Sequence, residues 1–209
     1  PRLDQVVADS GIGLVFDDQH RTYRAVAAGH DTTGLESRHA TVLVVDVDPV
    51  SAHGATGQRL DDSDRSRSFL ALGVPAPYLG KAQDLLVRRY GAQPLDLSAA
   101  LIAGLRNHGP AWSAVLDADA EVASSRGAKG LRVVVDRAVP DVEATVREAV
   151  AAPAGGPLLL TNAALLARYG ALGLLAQWTD LATSRGRAVW LLVPQLHAVH
   201  GPDIDKKPL

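Results

Sequence analysis

From Phe69 onward, short apolar runs alternate along the chain with longer stretches of helical spacing. The runs are FLALGV at 69–74, PLDL at 94–97, WSAVLDA at 112–118, LLLTN at 158–162 and AVWLLVP at 188–194. Strands with unbroken apolar runs are buried on both faces, and a helix between successive strands makes them parallel. The alternation therefore predicts an α/β fold, with a mostly parallel sheet of about five strands and helices on both faces.

The connecting helices are predicted at about 77–90, in SAALIAGLRNHG, over 129–151 and within 163–185. One segment, LRVVVDRAV at 131–139, has two interpretations. Its β-branched residues fit a strand, whereas the spacing of Leu131, Val134, Val135 and Ala138 fits one face of a helix. In the helical interpretation, Pro140 separates two helices, because proline disfavours helical backbone at the residue before it.

The N-terminal third has a different pattern. LDQVVADSG at 3–11 predicts a helix that ends at Gly11, and IGLVFDDQHRTYRAV after it alternates around a polar turn, which predicts a β-hairpin. A helix followed by a hairpin is winged-helix-like, and a lone hairpin resting on a neighbouring domain gives the same pattern. TVLVVDVDPV at 41–50 predicts a strand, and residues 51–68 offer so little to bury that we expect a mobile linker.

These patterns divide the 209 residues into three segments. Residues 1–30 form the helix plus hairpin, residues 31–68 the strand and flexible linker, and residues 69–209 the α/β domain. The start at Pro1 without an initiator Met, and the end at Lys207-Pro208-Leu209 without a closing element, fit a piece of a larger protein.

Composition excludes several classes of function. The net charge of −2 gives no global attraction to nucleic acid or to an anionic membrane. The chain has no cysteine, which removes disulfides, thiolate catalysis and Cys-based zinc sites and fits a reducing cytoplasm. Neither a signal peptide nor a membrane span is visible. We therefore expect a cytoplasmic protein without membrane contact.

A degenerate phosphate loop is predicted at GVPAPYLGKAQ, residues 73–83, which follows a strand, opens a helix and contains Gly80 and Lys81. A working loop reads G-x-x-x-x-G-K-[ST], and here Pro75 replaces the leading Gly and Ala82 replaces the hydroxyl that holds Mg²⁺. Pro75 and Pro77 also lack the N–H groups with which such a loop cradles phosphate. The sequence therefore indicates a strand-to-helix turn in place of a nucleotide site.

The carboxyl ends of parallel strands form the usual ligand crevice of an open α/β sheet. The candidate crevice residues are Asp117, Asp119, Thr161, Asn162 and Gln195. The same residue types are ordinary loop formers, and this is the interpretation we favour. For Thr161-Asn162 we predict that one of the two side chains caps the helix starting near Ala163, and a γ-phosphate sensor is the alternative.

The other residue clusters in the sequence give only weak support for a functional site. HAVHGPDID at 197–205 has residues that could bind a metal but no rigid frame, so we predict no metal site. G-x-S-x-G and kinase motifs are absent from the sequence, so we assign no catalytic residue and expect no cofactor. Arg21 and Arg24 are the candidates for nucleic-acid contact, although neighbouring Asp17 and Asp18 would weaken phosphate binding.

Four segments, LDQVVADSGIGLVFD, RSFLALGVP, LLLTNAALLARYG and VWLLVPQ followed by a Gly-Pro-Asp tail, resemble in their order the C-terminal region of the large PglW-type serine/threonine kinases. Those kinases belong to bacterial phage-growth-limitation (BREX) defence systems. The resemblance implies an ATPase-type, AAA-like domain whose phosphate loop is missing or degenerate. It transfers no catalytic residue, because the kinase domain of that family lies elsewhere in the polypeptide.

The function expected from these observations is a non-catalytic regulatory or scaffolding module of a multidomain anti-phage protein, acting by protein–protein contact or ligand sensing. Its implied partners are other domains of the parent chain and defence-system proteins. Two alternatives remain open, a nucleotide-binding or ATPase-type fragment and a DNA-binding winged-helix module.

Overall fold

The computed structural model describes residues 12–17, 22–27, 41–44, 55–152, 155–179, 184–195, 203–204 and 207–208. The strands are β1 Ile12–Asp17, β2 Thr22–Ala27, β3 Thr41–Val44, β4 Phe69–Pro75, β5 Gln93–Asp96, β6 Leu158–Thr161, β7 Val189–Gln195, β8 Asp203–Ile204 and β9 Lys207–Pro208. The α-helices are α1 Ala55–Ser66, α2 Leu79–Tyr90, α3 Leu97–His108, α4 Trp112–Ala120, α5 Arg126–Ala151, α6 Ala164–Arg168 and α7 Ala176–Thr179. Single 3₁₀ turns lie at Ala76–Tyr78 and Leu172–Leu175.

One sheet has the strand order β1-β2-β3-β4-β7-β6-β5. Strands β4, β7, β6 and β5 run parallel to one another, and β3 joins β4 in the same direction. The hairpin of β1 and β2 continues the sheet beyond β3 by antiparallel pairing. The predicted α/β fold with a mostly parallel sheet is confirmed. Four strands, however, lie within residues 69–195 where the sequence predicts about five.

Helices cover both faces of the sheet, as predicted. Alternate residues of each central strand face opposite ways, so that Leu191 of β7 joins the core under α3, α5 and α6 while Trp190 joins the core under α1 and α2. Both strand faces are apolar because both are covered. This explains why β4, β6 and β7 appear as unbroken hydrophobic runs in the sequence.

The fifth predicted strand, WSAVLDA, is wrong, because Trp112–Ala120 forms helix α4. Four of its nine residues are favourable helix formers (Ala or Leu), and only Val115 is β-branched. Val115 is also its one buried residue. A strand at the centre of a sheet would bury both faces, whereas here Leu116, next to the buried Val115, is 53% exposed.

The two interpretations of LRVVVDRAV are resolved in favour of helix, and the predicted break at Pro140 is wrong. Helix α5 runs without interruption from Arg126 to Ala151 with Pro140 inside it. Its buried residues form one stripe that extends on both sides of the proline, namely Leu131, Val135, Ala138, Val142, Val146 and Val150. Burial of each large side chain contributes about 1.5–3 kcal/mol. The stripe therefore outweighs the cost of about 3 kcal/mol for an internal proline.

The mobile linker predicted at 51–68 is also wrong over most of its length, because residues 55–66 form α1. This helix is polar overall but has one buried face, on which Leu60 and Ser63 lie three residues apart. The Ser63 hydroxyl accepts a hydrogen bond of 3.0 Å from Nε1 of the buried Trp190. Leu60 and the hydrogen bond between Ser63 and Trp190 help to hold α1 on the sheet, and sequence periodicity does not show such contacts.

The N-terminal hairpin is confirmed, with Ile12 opposite Ala27 and Asp17 opposite Thr22. Because β2 pairs with β3, the hairpin rests on the sheet of the neighbouring segment. The helix predicted at 3–11 lies outside the described residues, and the division of the chain at residues 30 and 68 stays a prediction.

Candidate functional site at the carboxyl edge of the sheet

The parallel strands end together at one edge of the sheet, where open α/β folds usually bind ligands. In the register, Pro75 at the end of β4 lies beside Gln195 at the end of β7, and Asp96 at the end of β5 lies beside Thr161 at the end of β6. Three of the predicted crevice residues, Thr161, Asn162 and Gln195, are thus brought to this edge. The side chain of Gln195 lies outside the described residues.

A hydrogen-bond network joins the ends of β5 and β6. Asp96 accepts from the Ala99 amide through Oδ1 at 2.8 Å and from Asn162 Nδ2 through Oδ2 at 2.7 Å. The Ser98 hydroxyl donates to the Asn162 carbonyl at 2.5 Å. The carboxylate, the amide and the hydroxyl can each hydrogen-bond a polar ligand, but here they are engaged with one another.

The predicted cap at Thr161-Asn162 is wrong. Helix α6 begins after Ala163, and no side chain caps it. Asn162 has a φ of 54°, in the left-handed region, whereas a capping residue needs extended backbone to aim its oxygen at the helix. Asparagine tolerates this backbone better than most residues. Its side chain is directed to Asp96, and the buried Thr161 donates to the Leu95 carbonyl at 3.4 Å.

Sequence reasoning missed Asp96 and Ser98, which it placed within or just after a strand. The structure shows Asp96 as the N-cap of α3, with extended backbone and its side chain on the third amide after it. The signal was present, since Asp immediately before an apolar helical pattern is a typical helix start. The contact of Asp96 with Asn162 had no such signal, because the two residues are 66 positions apart.

Replacing Asp96 with Ala should lower the free energy of unfolding by about 1–2 kcal/mol, because α3 loses its cap and Asn162 loses its acceptor. Asp96→Asn should lose about half as much, because its amide oxygen can still accept from Ala99. Asp84→Ala, an exposed acidic position on α2, is the matched control and should change stability by less than about 0.5 kcal/mol. Urea denaturation followed by circular dichroism measures all three. Equal stability of Asp96→Ala and the parent would contradict the network.

At the other half of the edge, the junction between β4 and α2 contains the predicted degenerate phosphate loop. The chain passes from Pro75 directly into the 3₁₀ turn at Ala76–Tyr78, and Gly80 and Lys81 already lie in the first turn of α2. Lys81 Nζ lies 5.7 Å from the centre of the Tyr78 ring. Pro75 and Pro77 contribute no N–H group to this turn. The junction has helical geometry and few backbone donors for an anion.

Gly80→Ala should stabilise the protein by about 0.5–1 kcal/mol, because Gly80 is helical and a Cβ added there meets nothing within 4 Å. If Gly80 instead belonged to a phosphate-binding loop, the added methyl would weaken nucleotide binding. Thermal melting of the parent and of Gly80→Ala, each with and without ATP and Mg²⁺, separates the two cases. A stabilisation by nucleotide that the substitution abolishes would contradict the helical assignment.

Asp117 and Asp119 lie on α4, so the position predicted for them at the end of a strand is wrong. Asp117 is exposed. Asp119 binds the C-terminal end of α6, where it accepts from the Tyr169 hydroxyl and pairs with Arg168 at 2.9 Å. Burial raises the pKa of Tyr169 to about 12, and the hydrogen bond to Asp119 adds to the rise. The phenol therefore stays a protonated donor, and Asp119 has a structural role that ties α4 to α6.

The nucleic-acid candidates are only partly described. Arg24 lies in β2 opposite Val15, with its side chain outside the described part, and Arg21 lies outside it entirely. Among the residues with described side chains, no group of three or more His, Cys, Asp or Glu is placed to hold a metal ion. The helices in the described ranges include none that is both long and apolar enough to cross a membrane.

Comparison with known proteins gives one informative relative. The chain matches no protein-family model and no solved structure. It is 32% identical over 183 residues to the probable kinase PglW of Streptomyces coelicolor. The chain is related to PglW. The match covers 81% of this chain but only 12% of the length of PglW, so the kinase activity named for PglW belongs to a much longer polypeptide. The relation to PglW expected from the sequence is confirmed.

Proposed function

We propose that this chain is a regulatory or scaffolding α/β module of a multidomain, PglW-type anti-phage defence protein. It corresponds to the C-terminal region of such a protein, works in the cytoplasm, and acts through protein contacts or ligand sensing. Its partners are the other domains of the parent chain and proteins of the same defence system. The relation to PglW supports the parent, and the geometry of the β4–α2 junction supports the non-catalytic role.

The junction is the observation on which the non-catalytic role depends. Phosphoryl transfer relies on backbone donors, a lysine and Mg²⁺ ligands that hold the phosphates in place. At the junction, Pro75 and Pro77 have no N–H, Gly80 is helical, and the buried Ala82 stands where a Mg²⁺-binding hydroxyl would be needed. The remaining edge groups near Asp96 are engaged in the network that closes α3 onto β6.

Titration calorimetry with ATP and Mg²⁺ tests the non-catalytic role directly. We expect no saturable binding at a Kd below about 100 μM. Binding tighter than that, lost on Lys81→Ala, would overturn the proposal in favour of a nucleotide-binding fragment. Arg88→Ala is the control, because Arg88 is an exposed residue in the last turn of α2, two helical turns after Lys81.

A second experiment tests the role in the parent. In a full-length PglW-type protein that contains this segment, deletion of the segment should abolish phage resistance in plating assays. Phosphorylation of a generic substrate by the purified deletion protein should stay within about threefold of the parent. Loss of resistance with kinase activity retained supports a regulatory or scaffolding module. Full resistance without the segment would overturn it.

A further inference from the structure

An open groove of about 290 Å³ runs between α4 and α5 on the outer surface of the helical layer. Its base is formed by Val115, Leu131 and Val134, and its sides by small residues such as Ala114, Ala118 and Gly130. The apolar character continues outside the groove, because Val133 on α5 is 50% exposed and Val122 in the α4–α5 connection is 72% exposed. Apolar surface of this kind on a folded chain is typical of an interaction site.

The two rims of the groove carry opposite charge. On the α4 side, Asp117 lies three residues after Ala114 and so on the same side of the helix. The carboxylate of Glu121 lies close to the Cα of Gly127, where an added Cβ would be 2.5 Å from Oε1. On the α5 side, Arg126 and Arg137 lie four residues before and seven residues after Gly130, which places both beside the groove.

These four charged residues are not neutralised within the described part of the chain. Asp117, Glu121, Arg126 and Arg137 are all exposed, and none takes part in an ion pair or side-chain hydrogen bond with another described residue. Elsewhere on the same helix, Arg132 pairs with Asp136 at 3.4 Å and Arg147 with Glu143. The groove is thus an apolar strip with an acidic rim of Asp117 and Glu121 and a basic rim of Arg126 and Arg137.

We propose that the groove is a self-association surface and that its occupant is a second copy of this chain. A two-fold axis parallel to the groove lays α4 of each copy over α5 of the other. The acidic rim then faces the partner's basic rim on both sides of the axis, and Val133 of each copy is covered. A partner helix that carries charge of only one sign would be attracted by one rim of the groove and repelled by the other.

The contact is small. Because only α4 and the first half of α5 take part, we expect it to bury less than the roughly 800 Å² per partner that is typical of stable complexes. The dimer is therefore weak, with a Kd on the order of 100 μM, and forms where the parent chain raises the local concentration. It is also sensitive to salt, because the rim charges are exposed.

Charge-reversal variants test the pairing. One variant carries Asp117→Arg and Glu121→Arg, so both of its rims are basic. The other carries Arg126→Glu and Arg137→Glu, so both of its rims are acidic. The matched control, Lys81→Glu with Arg88→Glu, reverses two exposed basic residues of α2 on the opposite face of the sheet and so has the same net charge as the acidic groove variant. Sedimentation equilibrium from about 10 μM to about 1 mM, with circular dichroism as the check of folding, measures association.

The parent and the α2 control should dimerise alike. Each groove variant alone should associate at least about tenfold more weakly, whereas an equimolar mixture of the two should dimerise about as well as the parent. A parent that stays monomeric at about 1 mM would overturn the proposal, as would a mixture that does not associate. So would a parent dimer that the reversals leave unchanged. These outcomes depend only on the groove, and they are distinct from the nucleotide and phage-resistance tests of the proposed function.

Discussion

Replacement of Trp190 with Ala should lower the free energy of unfolding by about 3–5 kcal/mol. Trp190 is fully buried near the start of β7, in the core that α1 and α2 cover. Its ring meets the Tyr90 ring edge to face, with centroids 5.1 Å apart. Truncation removes the apolar contacts and leaves a cavity that the surrounding strands cannot close. Since a domain is stable by only about 5–15 kcal/mol, this loss is a large fraction of the total.

Two further variants separate the stability that comes from packing of the Trp190 ring from the stability that comes from its hydrogen bond to Ser63. Trp190→Phe keeps most of the ring and removes the donor, whereas Ser63→Ala keeps the ring and removes the acceptor. Because the indole N–H would then be buried without a partner, Ser63→Ala should cost about 1–3 kcal/mol. The double variant should cost less than the sum of the two. Trp112→Ala, at a half-buried position on α4, is the control with a smaller loss.

Urea denaturation followed by circular dichroism measures the whole set. Ser63→Ala also tests α1, since a serine in a mobile linker would be replaced at no cost. A change of less than about 0.5 kcal/mol would therefore contradict the packing of residues 55–66 on the sheet. A loss below about 1 kcal/mol for Trp190→Ala would contradict its place in the core.

The sequence predicts those elements whose hydrophobic pattern decides their structure. Strands β4, β6 and β7 are apolar on both faces, so each appears as a continuous run that only a covered parallel sheet explains. Helices α2 and α3 are likewise predicted by the helical spacing of their apolar residues. The parallel α/β fold could thus be derived from residues 69–195 without any structural information.

The elements that the sequence mispredicts depend on few or distant contacts. Among its described side chains, helix α1 has one buried large apolar residue, Leu60, which gives too weak a periodic signal for prediction. Helix α4 contains a short apolar run that fits strand or helix equally well, and its length and alanine content decide the outcome. In α5, packing of the buried stripe on both sides of Pro140 overrides the local preference of proline to end a helix.

The candidate site was predicted only in part, for the same reason. Parallel strands place Thr161 and Asn162 at the carboxyl edge, and this follows from topology alone. The left-handed backbone of Asn162 and its hydrogen bond to Asp96 do not follow from topology, because they depend on a partner 66 residues away. Asp117 and Asp119 were misplaced together with the strand that was expected to carry them.

The opposite edge of the sheet contains two buried arginines, Arg185 and Arg187, which no sequence motif singles out. Arg185 donates to the carbonyls of Arg67 at 2.8 Å and Trp178 at 2.7 Å. Arg187 donates through Nη1 to Gln93 Oε1 at 2.7 Å and through Nη2 to the Ala152 carbonyl at 3.0 Å. Ala152 is the residue at the C-terminal end of α5 and Gln93 begins β5. Arg187 therefore joins the start of one strand to the end of the longest described helix.

Arg187→Met should lower the free energy of unfolding by about 2–4 kcal/mol. Two charge-assisted hydrogen bonds are lost, each worth about 1.5–3 kcal/mol, together with the favourable position of a cation at a helix C-terminus. The gain from no longer burying a charge offsets part of this loss, and methionine keeps the packing of the aliphatic stem. Arg187→Lys keeps the positive charge but not the two-donor geometry of the guanidinium, so the free energy of unfolding should fall by an intermediate amount.

Arg147→Met is the control for Arg187→Met, because Arg147 is an exposed arginine on α5, the helix whose C-terminal end Arg187 binds, and it pairs with Glu143. An exposed pair contributes little, so the control should lose less than about 0.5 kcal/mol, and high salt should remove most of that difference. The effect of Arg187→Met should persist in high salt, because Arg187 is only 5% exposed and its hydrogen bonds are therefore shielded from ions. If Arg187→Met and Arg147→Met were equally stable at low and high salt, the hydrogen bonds from Arg187 to Gln93 and Ala152 would contribute nothing to the stability of the fold.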